Sequence, residues 1–200
     1  MMTIILVTGP ARSGKSEWAE RLATQSAEKN GQQIVYIATA KKNASDPEWQ
    51  ARIAQHQLRR PSHWQVQEVP MALAAAIHPI HCQTHCLLID SLGTWLANLI
   101  EQPDDEWHIA QQAVIQALGQ TAADVIIVAE ETGWGVVPAY ELGRRFRDRL
   151  GTLSRRIGEI AADVYLVTSG YAICLSDMGT AVGSSIELIE PIKPIEPKIR

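Results

Sequence analysis

Cysteine is scarce in this sequence: three residues, Cys82, Cys86 and Cys174, occur in a chain of 200. An odd and sparse set of cysteines does not provide the framework of a small disulfide-stabilised secreted protein. Disulfide-poor chains are typical of reducing compartments, since thiols stay reduced there. We therefore expect a cytoplasmic protein.

A long apolar run is also missing. No segment approaches the roughly 18 consecutive apolar residues that a membrane-spanning helix needs. The apolar stretch within residues 1–8 has no basic residues before it and is too short for a secretory signal. It leads directly into a glycine-containing loop, so we expect it to remain in the mature protein and predict no stable membrane insertion.

Positive charge is not in excess, because the formal net charge is -4. Proteins that bind nucleic acid generally present a basic surface to the phosphate backbone. We therefore expect no nucleic-acid partner, although 18 lysines and arginines remain available for local phosphate contacts. The 46% hydrophobic content is ordinary for a globular domain with a substantial core.

Segments with strand character alternate with helical segments through most of the chain. Strands are predicted at residues 3–8, 34–38, 64–69, 86–90, 125–129 and 164–168, with 172–175 a candidate to pair beside the last. Helices are predicted at residues 16–29, 46–60, 73–77, 92–100, 106–118 and 142–160. This alternation predicts an α/β fold with a mostly parallel sheet and helices on both faces. We expect residues 1–175 to form one catalytic domain and residues 176–200, which contain three prolines, to form a flexible tail.

The segment after the first strand matches the phosphate-loop pattern G-x-x-x-x-G-K-[ST]. Its residues are Gly9, Pro10, Ala11, Arg12, Ser13, Gly14, Lys15 and Ser16. Glycines let backbone N–H groups turn towards phosphates, and the following helix contributes the positive end of its dipole. In this pattern Lys15 reaches the β- and γ-phosphates and Ser16 ligates Mg²⁺. We therefore predict a nucleotide site in a P-loop NTPase-like sheet, with Lys15 catalytic.

Asp90 ends an apolar strand, as a Walker-B-type aspartate does. It is predicted to hold Mg²⁺ with Ser16, directly or through water. The alternative is that Asp90 caps the helix that begins near Leu92. Arg12 has two interpretations as well, a guanidinium beside the phosphates or a solvent-exposed side chain.

Further candidates follow the other strands. In open α/β sheets, ligands bind outside the carboxyl ends of the strands. Residues placed there are Ala38, Thr39, Ala40, Glu68, Asp90 and Glu131. We expect them to converge on the nucleotide.

The second helix carries one histidine among arginines. Arg52 and His56 are four residues apart and share a helix face, and Arg59 and Arg60 follow before a proline. Nearby cations favour the neutral, nucleophilic imidazole and attract phosphate. The residues alone also permit an ordinary surface histidine.

Several segments together, and in chain order, resemble one family. They are residues 6–16 and 36–40; Arg52, Ile53, His56, Arg60, Pro61 and Trp64; Asp90 with Trp95, Leu96, Asn98 and Leu99; residues 131–138; and residues 145–148 with Gly151. The chain resembles the bifunctional adenosylcobinamide kinase / adenosylcobinamide-phosphate guanylyltransferase family of cobalamin biosynthesis. The RI-x-x-H-x-x-x-RP segment and the G-x-G-x-V-P loop are far more specific signals than the phosphate loop.

The resemblance implies two reactions. ATP or GTP phosphorylates the aminopropanol hydroxyl of adenosylcobinamide, and GMP from GTP is then transferred to that phosphate, giving adenosylcobinamide-GDP and pyrophosphate. It implies that the GMP passes through a covalent intermediate on His56 and that the protein is a homotrimer. The family's nucleotide contacts map onto residues 9–16, Ala38, Thr39, Ala40, Gln57, Leu58, Arg59, Arg60, Glu68 and Asp90. The chain departs from the family pattern at Glu130, where asparagine is frequent, and at Pro10, where glycine is frequent.

Other interpretations stay open on the residues alone. One is a small-metabolite kinase that uses the phosphate loop but not His56, and another is a nucleotide-dependent regulatory switch, which the lack of an N-K-x-D motif disfavours. Trp134, between two glycines, is expected either to cover the corrinoid or to lie at a subunit contact. A cluster of His78, His81, Cys82, His85 and Cys86 lacks a second ligand pair for zinc, so we expect no metal there.

Overall fold

The computed structural model describes residues 2–43, 45–78 and 83–183. Strands and helices alternate along the chain as the sequence predicts. The strands are β1 (Ile4–Gly9), β2 (Gln33–Ala38), β3 (Gln65–Glu68), β4 (His85–Asp90), β5 (Asp124–Glu130), β6 (Asp163–Thr168) and β7 (Tyr171–Cys174). The helices are α1 (Lys15–Asn30), α2 (Pro47–Arg59), α3 (Leu73–Ile77), α4 (Leu92–Leu99), α5 (Asp104–Gln120), α6 (Glu141–Ile160) and α7 (Leu175–Met178).

The strands form one seven-stranded sheet in the order β3-β2-β4-β5-β1-β6-β7. Every neighbouring pair is parallel except β6 and β7, which pair antiparallel through a tight turn at Ser169 and Gly170. The expected pairing of residues 172–175 beside the last strand is therefore confirmed for residues 172–174. Parallel pairing brings the carboxyl ends of β1, β2, β4 and β5 to one edge of the sheet, where ligand sites of such folds lie.

Helices cover both faces of the sheet, so the predicted P-loop NTPase-like α/β class is confirmed. Helix α1 packs on one face through Ala19, Ala23 and Ala27, whose four-residue spacing presents a smooth surface to the strands. On the opposite face, α3, α4, α5 and α6 contribute buried side chains such as Trp95 and Leu153. Each fully buried large apolar side chain in these layers contributes about 1.5–3 kcal/mol of favourable burial free energy.

Helix α2 stands at the carboxyl edge of the sheet and buries none of its residues fully. The Asp46 carboxylate accepts a hydrogen bond from the Trp49 backbone N–H at 2.9 Å, and Pro47 occupies the first turn, as the sequence predicts. Its last residue, Arg59, precedes Arg60 and Pro61. Because none of its residues is fully buried in the core, α2 can direct side chains towards the phosphate loop.

The chain continues in helical form beyond residue 175, where the sequence analysis places the start of a tail. Helix α7 covers Leu175–Met178. Residues 184–200, including the three prolines of the predicted tail, lie outside the described residues, as do His81 and Cys82 of the cysteine–histidine cluster. Among the described helices, none has the length and apolar character needed to cross a membrane.

Candidate functional site

The phosphate loop runs from the end of β1 into the first turn of α1. Gly14 has φ of 93°, a left-handed conformation that glycine adopts at little cost, and Arg12 has φ of 60°. A Cβ atom on Gly9 would collide with the Val167 carbonyl oxygen on β6. Glycine at position 9 is therefore required by the packing of the neighbouring strand.

Two cavities open beside this loop. The first, here called the loop cavity, has a volume of about 540 Å³. It is lined by residues 12–17, Glu48, Ala51, Arg52, Gln55, His56 and Arg59. It therefore lies between the start of α1 and the side of α2, where helix-end N–H groups and arginines together favour an anion.

The second cavity, here called the sheet-edge cavity, has a volume of about 320 Å³ and extends across the carboxyl ends of the strands. Its walls include Ala11, Tyr36, Ala38, Ala40, Lys42, Trp49, Gln57, Arg60, Glu68, Asp90, Glu130 and Phe146. The walls combine apolar and aromatic groups with charged ones, as the walls of small-molecule sites do.

Four side chains belong to the walls of both cavities: Lys15, Ser16, Arg52 and His56. The predicted catalytic lysine and the histidine of α2 therefore lie where the two cavities meet. Lys15 is 6% exposed, and its Nζ donates to the Pro10 carbonyl oxygen at 3.3 Å. Helix α2, whose arginines the sequence analysis expects to attract phosphate, thus lies beside the phosphate loop.

Asp90 joins the phosphate loop to the centre of the sheet. Its Oδ1 accepts from the Ser16 hydroxyl at 3.4 Å, and its Oδ2 accepts from the Tyr36 hydroxyl at 2.5 Å. Burial alone would raise the pKa of this carboxyl, but contacts with His56 and Tyr36 and the charge of Lys15 hold the pKa below its usual value. The alternative role as a helix cap is wrong, because Ser91 caps α4 and accepts from Thr94.

The donor set at Ser16 and Asp90 fits a magnesium ion. Both groups offer oxygen, the ligand type that Mg²⁺ prefers, and their oxygens are 3.4 Å apart. Adjacent ligands of an octahedral ion at about 2.1 Å are separated by about 3 Å, so a small adjustment or one intervening water suffices.

The His56 ring faces two groups of opposite charge through the same nitrogen. Its Nδ1 lies 3.2 Å from Arg59 Nη2 and 3.6 Å from Asp90 Oδ2. Arg59 is in turn paired with Glu17 and Glu20 of α1, at 2.9 and 3.3 Å. With Nδ1 occupied by protein groups, Nε2 is the ring nitrogen left for a ligand.

The remaining predicted nucleotide contacts fall into three groups. Arg12, Ser13, Gly14 and Arg59 line the loop cavity, and Ala11, Ala38, Ala40, Gln57, Arg60 and Glu68 line the sheet-edge cavity. The third group lines neither cavity and includes Gly9 and Pro10. Thr39 is buried and exchanges hydrogen bonds with the backbone of Ser91, so its side chain stabilises the strand ends and lines neither cavity. Leu58 is 86% exposed and also lies outside both walls.

Sequence reasoning missed Glu130 and Tyr36. It named Glu131 as the acidic group following the fifth strand, but the side chain in the sheet-edge cavity belongs to Glu130. Glu130 accepts from the Ser91 hydroxyl at 2.5 Å and from the Gly93 N–H at 2.8 Å, whereas Glu131 accepts from Gly133 in its own loop. The strand-end rule that identified Asp90 would have found Glu130 if β5 had been extended by one residue.

These features define the class of protein. A parallel sheet with helices on both faces, a phosphate loop between β1 and α1, and an aspartate at the end of a nearby strand together describe a P-loop nucleotide-binding enzyme. The family model for cobinamide kinase / cobinamide phosphate guanyltransferase matches residues 5–175. The chain therefore belongs to this family, which confirms the resemblance found from the sequence.

Relatives of similar length support the membership. The bifunctional adenosylcobalamin biosynthesis protein CobP of Pseudomonas aeruginosa is 43% identical over 166 residues, 82% of this chain and 92% of the relative. The protein CobU of Escherichia coli, with the same bifunctional description, is 35% identical over 184 residues, 85% of this chain and 98% of the relative.

Among solved structures, an ATPase domain aligns with 82% of this chain and 68% of its own, at 10% identity and a TM-score of 0.47.

Proposed function

We propose that this chain phosphorylates adenosylcobinamide with ATP or GTP and then transfers GMP from GTP to the new phosphate through a guanylylated His56. The products of the second reaction are adenosylcobinamide-GDP and pyrophosphate. Family membership supports the two reaction classes, and the relatives described as bifunctional support the combination in one chain.

The observation that carries the proposal is the position of His56 at the junction of the two cavities, beside Lys15 and Ser16. A triphosphate on the loop, with its β- and γ-phosphates at Lys15, would carry its α-phosphate within the same junction, which Lys15, Ser16 and His56 all line. Lys15 and Ser16, which also line both walls, are assigned to the phosphates and to Mg²⁺, so His56 is the nucleophile that we propose for the α-phosphorus.

In the kinase reaction, the residues of this chain hold the triphosphate in position and neutralise its negative charge. Lys15 and the N–H groups of residues 12–16 neutralise the β- and γ-phosphates while the acceptor hydroxyl attacks the γ-phosphorus. The bond from the γ-phosphorus to the β–γ bridging oxygen breaks, the nucleoside diphosphate leaves, and the hydroxyl proton passes to water. Mg²⁺ held by Ser16 and Asp90 would supply further charge neutralisation at these oxygens. Arg52, in the walls of both cavities, is placed to balance charge on the phosphoryl group being moved.

In the transferase reaction, His56 acts as the nucleophile. The Nε2 lone pair forms a bond to the α-phosphorus while the bond to the bridging oxygen breaks and pyrophosphate leaves. The resulting imidazolium keeps its Nδ1 proton, and the Asp90 carboxylate facing that nitrogen stabilises the positive charge. An oxygen of the corrinoid phosphate then attacks the same phosphorus, the N–P bond breaks, and neutral imidazole is regenerated.

We also propose a homotrimer located in the cytoplasm. An exposed apolar surface supports self-association: Trp134, Val136, Val137 and Tyr140 are 65, 96, 57 and 71% exposed on the loop between β5 and α6. Analytical ultracentrifugation tests the assembly, and a monomer at micromolar concentration would contradict it.

Intact-mass spectrometry after incubation with GTP and Mg²⁺ tests the transferase half. We expect one added guanylyl group in the wild type and none in His56→Asn, whereas His63→Asn, an exposed histidine seven residues away, retains the adduct. Adduct formation in His56→Asn would contradict the proposed nucleophile.

The kinase half needs a separate measurement, because it does not use His56. We expect His56→Asn to phosphorylate adenosylcobinamide with ATP, and Lys15→Met to lose this activity. Lys29→Met, a substitution in the last turn of the same helix, serves as the control. An active Lys15→Met protein would contradict the proposed role of the phosphate loop.

A further inference from the structure

Arg59 joins α1, α2 and the His56 ring through one guanidinium group. Its Nη1 donates to Glu17 Oε1 at 2.9 Å, and its Nη2 approaches both Glu20 Oε1 at 3.3 Å and His56 Nδ1 at 3.2 Å. Glu17 and Glu20 are three residues apart and therefore share a face of α1. The two carboxylates hold the guanidinium against the ring.

The contact between Arg59 and His56 determines the tautomer of the neutral ring. A guanidinium group can only donate hydrogen bonds, so Nδ1 must accept and its proton must reside on Nε2. The Asp90 carboxylate faces the same nitrogen from 3.6 Å, which is too long for a hydrogen bond. In this arrangement neither ring nitrogen offers a free lone pair.

We propose that Arg59 is a positioning residue that keeps His56 in a non-nucleophilic tautomer until a triphosphate draws the guanidinium away. The proposal rests on the proposed role of His56 as the guanylylated residue. It adds a condition for that role, namely that the nucleophile becomes available only when the loop cavity is filled.

The location of Arg59 allows its guanidinium to leave the His56 ring and bind a phosphate instead. Its side chain lines the loop cavity and is 37% exposed, so it can turn towards a phosphate without unfolding of α2. Phosphate oxygens form charge-assisted bidentate contacts with guanidinium, which are stronger than the hydrogen bond to a neutral imidazole. Glu17 and Glu20 compete with the phosphate and set how readily the guanidinium leaves.

Release of Arg59 leaves Asp90 Oδ2 as the partner of Nδ1. A proton then moves from Nε2 to Nδ1 through water, with no net gain or loss. A shift of the freed ring by about 0.5 Å towards Asp90 lets Nδ1–H donate to the carboxylate. The Nε2 lone pair becomes free to attack the α-phosphorus. Without a free lone pair in the nucleotide-free enzyme, the His56 ring would react neither with electrophiles in solution nor with a wrongly bound phosphate.

Two-bond ¹H–¹⁵N correlation spectra of histidine-labelled protein test this inference, at a pH where the ring is neutral. The probe is a GTP analogue with a methylene group between the α- and β-phosphorus atoms, which cannot be cleaved there, in the presence of Mg²⁺. The His56 signals are assigned by their loss in His56→Asn. We expect the Nε2–H pattern without nucleotide and the Nδ1–H pattern with the analogue.

Variants separate the tautomer change from nucleotide binding. Arg59→Met should show the Nδ1–H pattern without nucleotide, because Asp90 is then the remaining partner. The double variant Glu17→Gln/Glu20→Gln keeps side-chain volume but weakens the hold on Arg59, so it should shift towards Nδ1–H at lower concentrations of the analogue than the wild type. A thermal melt confirms that each variant is folded.

An Nδ1–H pattern in the nucleotide-free wild type, or an Nε2–H pattern in Arg59→Met, would overturn the inference. These outcomes differ from a failure of the proposed function. If the tautomer changes as expected but no guanylyl adduct forms with GTP, Arg59 controls the ring and His56 is not the transferase nucleophile. If the guanylyl adduct forms while the His56 tautomer is the same in all samples, His56 is the transferase nucleophile and Arg59 does not control its tautomer.

Discussion

The Tyr36 hydroxyl donates a 2.5 Å hydrogen bond to Asp90 Oδ2 and so links the ends of the adjacent strands β2 and β4. Burial, reinforced by the negative charge of Asp90, raises the pKa of Tyr36 far above its usual value, which keeps the hydroxyl protonated and able to donate. The Arg60 guanidinium lies 3.6 Å from the centre of the tyrosine ring. The Asp90 carboxylate is thereby oriented with one oxygen towards Ser16 and the other towards His56.

Tyr36→Phe should slow both half-reactions without unfolding the protein. The substitution removes one hydrogen bond to a charged group, worth about 1.5 kcal/mol, which corresponds to about a tenfold lower rate. Single-turnover phosphorylation and guanylylation measure the two effects separately. Tyr171→Phe is the control, since that ring is 77% exposed on β7. Equal rates for Tyr36→Phe and the wild type would show that Asp90 does not depend on this hydroxyl.

Gly93 and Glu130 occupy complementary positions, because a Cβ atom on Gly93 would overlap the Glu130 carboxylate. We therefore expect Gly93→Ala to lower the free energy of unfolding by about 1–3 kcal/mol, the usual cost of overpacking. In a Glu130→Ala background the same substitution should cost much less, since the carboxylate is gone. Urea denaturation of the two single variants and the double variant gives the coupling energy, and strict additivity would disprove the contact.

Local patterns in the sequence located the phosphate loop and the aspartate beside it, whose role in nucleotide binding stays a prediction. The G-x-x-x-x-G-K-[ST] spacing identified the loop from Gly9 to Ser16, and the strand-end rule identified Asp90, because both signals depend on short stretches of chain. The alternation of strands and helices similarly determined the sheet class. The capping pattern at Asp46 and Pro47 located the start of α2.

Contacts between distant segments could not be predicted in the same way. Glu130 and Glu131 are adjacent acidic residues, and only the extent of β5 decides which one reaches the cavity. Thr39 directly follows β2, much as Asp90 ends β4, yet the Thr39 hydroxyl donates to the backbone carbonyl of Ser91 on another segment. The pairing of Arg59 with Glu17 and Glu20 spans about 40 residues of sequence and depends on the placement of α2 over α1.

Asp124 forms a polar junction at the amino-terminal end of the sheet, away from the site. One oxygen accepts from the Thr3 N–H at 2.8 Å, and the other accepts from Ser26, Asn30 and Gln32. Asp124→Ala would leave these donors without their acceptor at a residue that is 7% exposed. We expect a loss of about 2–4 kcal/mol in the free energy of unfolding, because several hydrogen bonds to one charged group disappear together.

Glu28→Ala provides the control for this substitution. Glu28 is an exposed acidic residue on α1, so its loss removes the same charge without buried donors, and a change within about 0.5 kcal/mol is expected. Chemical denaturation in urea measures both variants. Similar small effects for the two substitutions would show that the Asp124 contacts contribute little to stability.

The pairing of Asp104 with Arg149 should make stability depend on pH in the acid range. Hydrogen bonding to Arg149 and its positive charge lower the pKa of Asp104 in the folded protein, and the two groups are 2.7 Å apart. A carboxyl with a lower pKa in the folded state stabilises the fold above its unfolded pKa of about 4, and this contribution is lost as the pH falls through the folded pKa. Asp104→Asn should therefore be less stable than the wild type at pH 7, with the difference shrinking below pH 4. Asp105→Asn, a change in the same helical turn, controls for the lost charge at the helix start, and equal pH profiles for the two variants would contradict the pairing.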